Sequence, residues 1–351
     1  MSRKLTRATS FDVAALARVS QSAVSRAFSP GSSISERKRA QILEAARKLN
    51  YVPNSMAASL TTRRSNTVAV ILGHLANPFY VTVLSALIQR LQDEGRQALT
   101  FTVDHQADAD AVMMRVLRYQ VDGIILTSAQ LSTRMAAICH DRGIPIVLFN
   151  RYIPGTEASG VRCDNIGGGR LMAQAFLSAG ARRFALILGD TRGTTSADRA
   201  RGFTEALVES GIARADIRVM EGNSTYDGAH SAVATSFDDG RLPDAFFAVN
   251  DIMAMATMDA LRERFALRIP DDIMVAGFDD IPDARRWPYR LTTVSQPVDE
   301  MVEETFKILN LDDVERPIEP GIDMVVPVHL IWRETVRPPR RTDGKSSTRT
   351  G

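Results

Sequence analysis

"SFDVAALARVSQSAVSRAFSPGSSIS", residues 10–35, holds two very short helical patterns, a three-residue interruption between them and a polar loop behind. Val13, Ala14 and Ala17 recur at helical spacing, Arg18-Val19-Ser20 breaks the pattern, and Val24, Ala27 and Phe28 resume it. Each helix has only about two turns, too few to persist alone against the cost of nucleation. They must pack on each other and on a third element. Ser10 is the expected N-cap of the first helix, with Asp12 at the positive end of its dipole, and Ser20 the expected cap of a second from Gln21 to Phe28. A third helix is expected from Ser35, with Ile42, Leu43, Ala46 and Leu49 on its inner side. Helix, tight turn, helix, loop, helix in this length is a helix-turn-helix domain.

If Val24, Ala27 and Phe28 face that small core, Gln21, Ser22 and Arg26 project outward near the start of the second helix. Such side chains reach base edges: Gln pairs with adenine, Arg with guanine, Ser with either. Charge points the same way. Residues 1–64 hold 12 Lys or Arg against three acids, a net +9, so the remaining 287 residues carry a net −7 beneath an overall charge of +2. A basic head on a mildly acidic body is the footprint of a polyanion-binding module.

Next along the chain stands "NYVPNSMAASLTTRRSN", residues 50–66. Pro53 suits a first helical position and Asn54 to Leu60 could make about two turns. By pattern alone the segment reads better as a plain interdomain linker.

Taken together, the blocks DVA, VS and VSR of the head and NYxPN-x-x-A-x-x-L after it resemble the head and hinge of the lactose-repressor (LacI/GalR) family of bacterial transcription regulators. The resemblance implies that Ser20, Gln21, Ser22 and Arg26 serve a DNA-reading helix. It also implies that Pro53–Thr61 is a hinge helix folding on DNA, with Asn54 and Ala57 in it and Leu60 wedged into the minor groove at the centre of a pseudopalindromic operator. Three positions depart from the family pattern. Arg18 stands where Gly is usual in the turn, Gln21 where a large residue is common, and Lys38 where Thr usually opens the third helix. Arg18 would carry strain if that turn requires positive φ.

From residue 66 the chain alternates strand-like runs, such as "TVAVIL" (67–72), "GIILT" (123–127), "FALILGD" (184–190) and "AFFAVN" (245–250), with amphipathic helix-length segments. Continuous apolar strands joined by helices make parallel sheets covered on both faces, giving an α/β body. "NPFY" (77–80), "DNIGGGRL" (164–171), "RARGF" (199–203), "VNDIMA" (249–254), "GFDD" (277–280) and "LTTVSQP" (291–297) extend the resemblance through a two-lobed, periplasmic-binding-protein-like body. The expected organisation is a head over 1–50, a hinge and linker over 51–65 and an effector-binding and dimerisation body over 66–336. Lobe one would take 66–162 with 292–322, lobe two 163–291 with 323–336, and 337–351 would be a disordered basic tail.

Polar residues at strand ends are candidates for binding a small hydroxylated molecule. Asn150, Asn250 and Asp279 hold such positions, Arg199 opens a helix after the "LGDTRGTTS" loop, and Phe79 offers an apolar face to a sugar ring. Asn250 and Asp279 could equally be helix caps or turn residues. By resemblance, Phe79, Asn150, Arg199, Asn250, Asp279 and Gln296 take effector-contact positions, which implies a homodimeric regulator under a small effector, a sugar or sugar derivative.

Other classes find little support. The GGG at 167–169 lacks dinucleotide-binding spacing, the five histidines show no metal-ligand spacing, and no nucleophile motif appears, so neither a cofactor nor catalysis is expected. "MSRKLTRATS" has no apolar stretch behind its charges and no run of 18 apolar residues follows, so a cytoplasmic, nucleoid-associated protein with two reduced cysteines is expected. A solute-binding receptor or an α/β enzyme sharing the body is the alternative.

Overall fold

The computed structural model describes residues 8–28, 32–53, 64–73, 75–103, 109–127, 131–153, 155–190, 193–237, 241–313 and 319–339. The hinge expected at Asn54, Ala57 and Leu60 and the tail from 340 onward lie outside the described residues. Two compact units meet between Asn66 and Thr67.

The head contains α1 (Ser10–Leu16), α2 (Gln21–Phe28) and α3 (Glu36–Lys48). Thr9, not Ser10, caps α1. Its hydroxyl accepts from the Asp12 amide at 3.3 Å while the Asp12 carboxylate accepts from the Thr9 amide at 2.8 Å, a reciprocal box. Ser10 cannot form such a box because the residue three further on, Val13, is needed in the core. Ser20 does cap α2, accepting from the Ala23 amide. The core is Val13, Ala14, Ala17, Val24, Ala27, Ile42, Ala45 and Ala46, flanked by Phe28, Leu49 and Tyr51. Leu43, expected inside, is exposed: one residue after Ile42 it lies about 100° round the helix, and Ala45 fills its place. The Gln41 amide, donating to the Ala17 carbonyl at 2.9 Å, ties α3 to the end of α1. Arg18 has φ of +49°, so the turn imposes the left-handed conformation that Gly would adopt without strain.

The body opens with β1 (Thr67–Gly73), α4 (Pro78–Asp93), β2 (Gln97–Val103), α5 (Ala109–Val116), β3 (Gly123–Thr127), α6 (Thr133–Asp141), β4 (Ile146–Phe149) and β5 (Ser159–Cys163). There follow α7 (Asn165–Ser178), β6 (Phe184–Leu188), α8 (Thr194–Glu209), β7 (Ile217–Glu221), α9 (Tyr226–Thr235), β8 (Ala245–Ala248), α10 (Asp251–Phe265) and β9 (Met274–Ala276). It closes with β10 (Thr293–Ser295), α11 (Val298–Leu309), β11 (Asp323–Val326) and β12 (His329–Ile331). One sheet has the order β11-β5-β4-β3-β1-β2 and the other β7-β6-β8-β9, both parallel throughout. Strands such as β3, β4 and β8 are buried along their whole length, as sheets covered on both faces require.

The lobe boundaries need correction at the C-terminal crossings. β10 reaches the second sheet through bridges Ala276–Thr292 and Asp279–Ser295 and pairs antiparallel with β12. Residues 292–295, expected in lobe one, therefore lie with the second sheet. Conversely β11, expected in lobe two, runs parallel to β5 on the edge of the first sheet. Between them α11 packs on β4, β5 and α4. Ser159–Cys163 gave no strand signal because Gly160 and Arg162 interrupt its apolar run.

Close approach fixes α8 against α7. A Cβ on Gly169 would stand 2.2 Å from the Arg199 carbonyl oxygen, and one on Gly202 would stand 2.0 Å from that of Ile166. Only glycine permits this spacing, which brings Arg199 on α8 to Asn165 on α7. Among the described residues no helix is long and apolar enough to cross a membrane.

Candidate functional site

Both sheets send the C-terminal ends of their strands to one cleft, the position where open parallel sheets bind ligands. Asn77 follows β1, Asn150 follows β4, Asp190 follows β6, Ser224 follows β7, Asn250 follows β8 and Asp279 follows β9, and all line a cavity of about 110 Å³. Phe79 and Tyr80 from the first turn of α4, and Thr195, Ser196 and Arg199 from α8, complete much of the wall.

At its base lies a buried ion pair. Arg199 is 4% exposed and Asp279 5%, and the guanidinium Nη1 donates to the carboxylate at 2.9 Å. Burial of such a pair is tolerated when every remaining donor and acceptor is used. Arg199 also donates to Asn165 Oδ1 at 2.8 Å and to the Val249 carbonyl at 2.7 Å, and its plane covers the Phe278 ring at 3.7 Å. Asp279 accepts from Gln296 at 2.7 Å and from Asn77 at 3.2 Å, so groups of both lobes converge on one carboxylate. Burial raises its pKa above the ordinary carboxylate value, while Arg199 and the two amides oppose the rise. Asp279 sits at φ +124° and Asp280 at +55°, a strained backbone of the kind found where function dictates conformation. Beneath, Asp251 accepts from the Thr293 hydroxyl at 2.5 Å and the Ile281 amide at 2.9 Å; burial, and secondarily the Asp279 charge, push its carboxyl up to about 7.

Five of the six residues expected to touch effector line the cavity: Phe79, Asn150, Arg199, Asn250 and Asp279. Asn250 also caps α10, accepting from the Met253 amide at 2.9 Å, so the bland and functional assignments coexist in one side chain. Gln296 stands behind Asp279 and does not belong to the wall. Sequence reasoning overlooked Asn77, Arg151 and Asp190. Each immediately follows or closely trails a strand end, the same signal that found Asn150. Cys163 sits next to the site, donating to Asn165 Oδ1 at 3.3 Å, and burial pushes its thiol up to about 12 and that of Cys139 to about 11, leaving both unreactive.

On the head, Ser20, Gln21, Ser22 and Arg26 are all exposed, the first three at the start of α2 and Arg26 in its last turn. Gln21 donates to the Ser10 hydroxyl at 3.3 Å, Ser20 and Ser22 hydroxyls pair at 2.9 Å, and Arg26 Nε donates to the Ser22 carbonyl at 3.3 Å. These contacts orient short side chains over a solvent-facing surface without burying them.

Residues 11–54 match the family of bacterial regulatory proteins of the lacI type, and residues 173–336 match the periplasmic binding protein-like domain. The transcriptional regulator CelR of Thermobifida fusca is 31% identical over 330 residues, covering 92% of this chain and 96% of that protein. The chain belongs to the lacI family. It is a DNA-binding transcriptional regulator. The ribose operon repressor of Bacillus subtilis is likewise 31% identical, over 94% of this chain and 99% of its own. Among solved structures, a CelR–cellobiose complex aligns over 94% of this chain with TM-score 0.69 and 29% identity. The lac repressor dimer bound to operator and the anti-inducer ONPF aligns over 94% with TM-score 0.83 at 24% identity, which speaks for the fold.

Proposed function

We propose that this lacI-family chain is a homodimeric repressor whose affinity for a pseudopalindromic operator is set by a sugar or sugar derivative held in the cleft. The observation that carries this is the convergence of Asn77, Arg199 and Gln296 on the Asp279 carboxylate at the wall of a cavity between two parallel sheets. A carboxylate held this way presents fixed acceptors to ligand hydroxyls, Asn150 and Asn250 supply amide groups, and the Phe79 ring covers an apolar sugar face. Gln296 acts one layer back, by positioning Asp279. Cellobiose in the CelR complex and ribose in a lacI-family structure from Enterococcus faecium favour a carbohydrate over other hydroxylated ligands.

In this proposal Gln21, Ser22 and Arg26 read base edges, with Ser20 beside them, and Asn54, Ala57 and Leu60 engage the minor groove. A ligand touching both lobes favours one arrangement of them, and that preference passes through residues 51–65 to the head as a population shift. The protein works in the cytoplasm, at the nucleoid, and the ligand leaves unconverted. The test is a DNA selection with the full chain followed by titration of the selected site with and without a carbohydrate panel, the ligand being recovered and weighed afterwards. Selection of a two-fold symmetric site whose affinity changes with a recovered, unaltered sugar is expected. A site indifferent to every sugar, or a ligand recovered with a changed mass, would overturn it.

A further inference from the structure

Arg151 lies one residue beyond Asn150 at the end of β4 and lines the same cavity. It is 7% exposed, and its Nε is buried with no hydrogen-bond partner. Among the described residues it has no ion pair within 4 Å. That separates it from Arg199, whose charge is met by Asp279 and whose nitrogens are shared among three acceptors. Of the other carboxylates on the wall, Asp279 is already committed, and Asp190 acts on Arg151 only from beyond ion-pair distance. Burial accordingly lowers the pKa of the guanidinium from its ordinary range.

A second feature of the same wall points the same way. A Cβ on Gly193 would stand 3.5 Å from Arg151 Nη2, which puts the guanidinium beside the N-terminus of α8. Gly193 is the N-cap of that 16-residue helix and supplies no side-chain acceptor. Thr195 and Ser196 from its first turn also line the cavity. An unpaired buried guanidinium next to an uncapped helix N-terminus attracts negative charge, and the guanidinium fork matches a carboxylate or phosphate.

We propose that the effector is an acidic carbohydrate, whose carboxylate or phosphate docks between Arg151 and the N-terminus of α8 while its hydroxyls meet Asp279, Asn250 and Asn150. This rests on the carbohydrate reading above and narrows it. The anion supplies the counter-charge that the fold withholds from Arg151, so neutral sugars of the same ring lack one whole anchoring point. Arg151 thereby becomes the residue that sets specificity.

The test uses the full-length protein, wild type and Arg151→Met, with Arg151→Lys as the charge-retaining control. Calorimetric titration with glucose, glucuronate, glucose 6-phosphate, galactose, galacturonate and inorganic phosphate separates carboxylate from phosphate and acid from neutral ring. At least one anionic probe is expected to bind wild type tenfold or more tightly than its neutral counterpart, with the preference lost in Arg151→Met and partly kept in Arg151→Lys. Without ligand, Arg151→Met should melt at or above the wild-type temperature, because it removes an uncompensated buried cation. The proposal is overturned if Arg151→Met matches wild type towards every anionic probe, or if ligand-free Arg151→Met melts several degrees lower. Neutral sugars binding wild type as tightly as their anionic counterparts would leave the carbohydrate cleft standing and remove only the anion. Phosphate alone distinguishing the two proteins would keep the anion site and remove the carbohydrate.

Discussion

Removing the Asp279 side chain tests whether the convergence at the cleft base is an energetic unit. In Asp279→Ala the guanidinium of Arg199 stays buried, keeps Asn165 and the Val249 carbonyl, and loses its counter-charge. Asn77 and Gln296 each lose an acceptor as well. Breaking one side of a buried ion pair costs about 3–5 kcal/mol, whereas removing both charges in favour of apolar groups is often near neutral. Asp279→Ala should therefore destabilise the body by about 3–5 kcal/mol, and Arg199→Met/Asp279→Ala by clearly less than the two single changes together. Both tryptophans, Trp287 and Trp332, lie in the body, so urea unfolding followed by their fluorescence reports on that unit without interference from the head. Additive single-mutant costs, or a cost below about 1 kcal/mol for Asp279→Ala, would show that the pair is solvated and contributes nothing beyond a surface ion pair.

The head and the buried acids yield further tests. Arg26→Ala should weaken the selected operator by about 1–3 kcal/mol while affecting random DNA less, as measured by fluorescence anisotropy; equal loss on both would make Arg26 a phosphate contact. Operator affinity should fall with salt at a log–log slope of roughly −5 to −10, given the net +9 of residues 1–64, and a slope near zero would contradict backbone binding. The Asp251 carboxyl, held at about 7, binds its proton more tightly in the folded body than in the unfolded chain. Its stabilising contribution is thus complete below about pH 4 and lost as pH rises through 7. The melting temperature of wild type relative to Asp251→Asn should fall between pH 5 and pH 8; a constant difference would place the carboxyl at its ordinary value.

Much of this architecture is legible in the chain because its signals are local. Helical spacing around Val13 and Val24 sufficed for the head, and uninterrupted apolar runs sufficed for the central strands. What escaped depends on partners distant in sequence. Thr9 displaces Ser10 as cap because the box needs an acid three residues on, and only Thr9 has Asp12 there. β5, whose apolar run Gly160 and Arg162 interrupt, and β11, a four-residue edge strand, pair with each other across about 160 residues, so neither stands out in the sequence alone. Gln296 and Asn77 could be placed near the cleft, but their shared carboxylate is a three-dimensional fact. Arg151 went unnoticed for a simpler reason: a basic residue after a strand reads as a solvated charge, and only burial makes it exceptional.

Whether the cleft governs DNA binding is decided by titrating the selected operator with full-length protein at fixed salt, with and without the carbohydrate found to bind, for wild type and Arg199→Ala. Arg199 lines the cavity and belongs to the body unit, whereas the DNA-reading residues belong to the head unit. Wild type should change its operator affinity about tenfold or more on ligand addition, the size of an ordinary allosteric coupling. Arg199→Ala should hold operator as tightly as ligand-free wild type and show no change. An operator affinity that ignores the ligand in wild type, or a response kept intact by Arg199→Ala, would contradict regulation through this cleft.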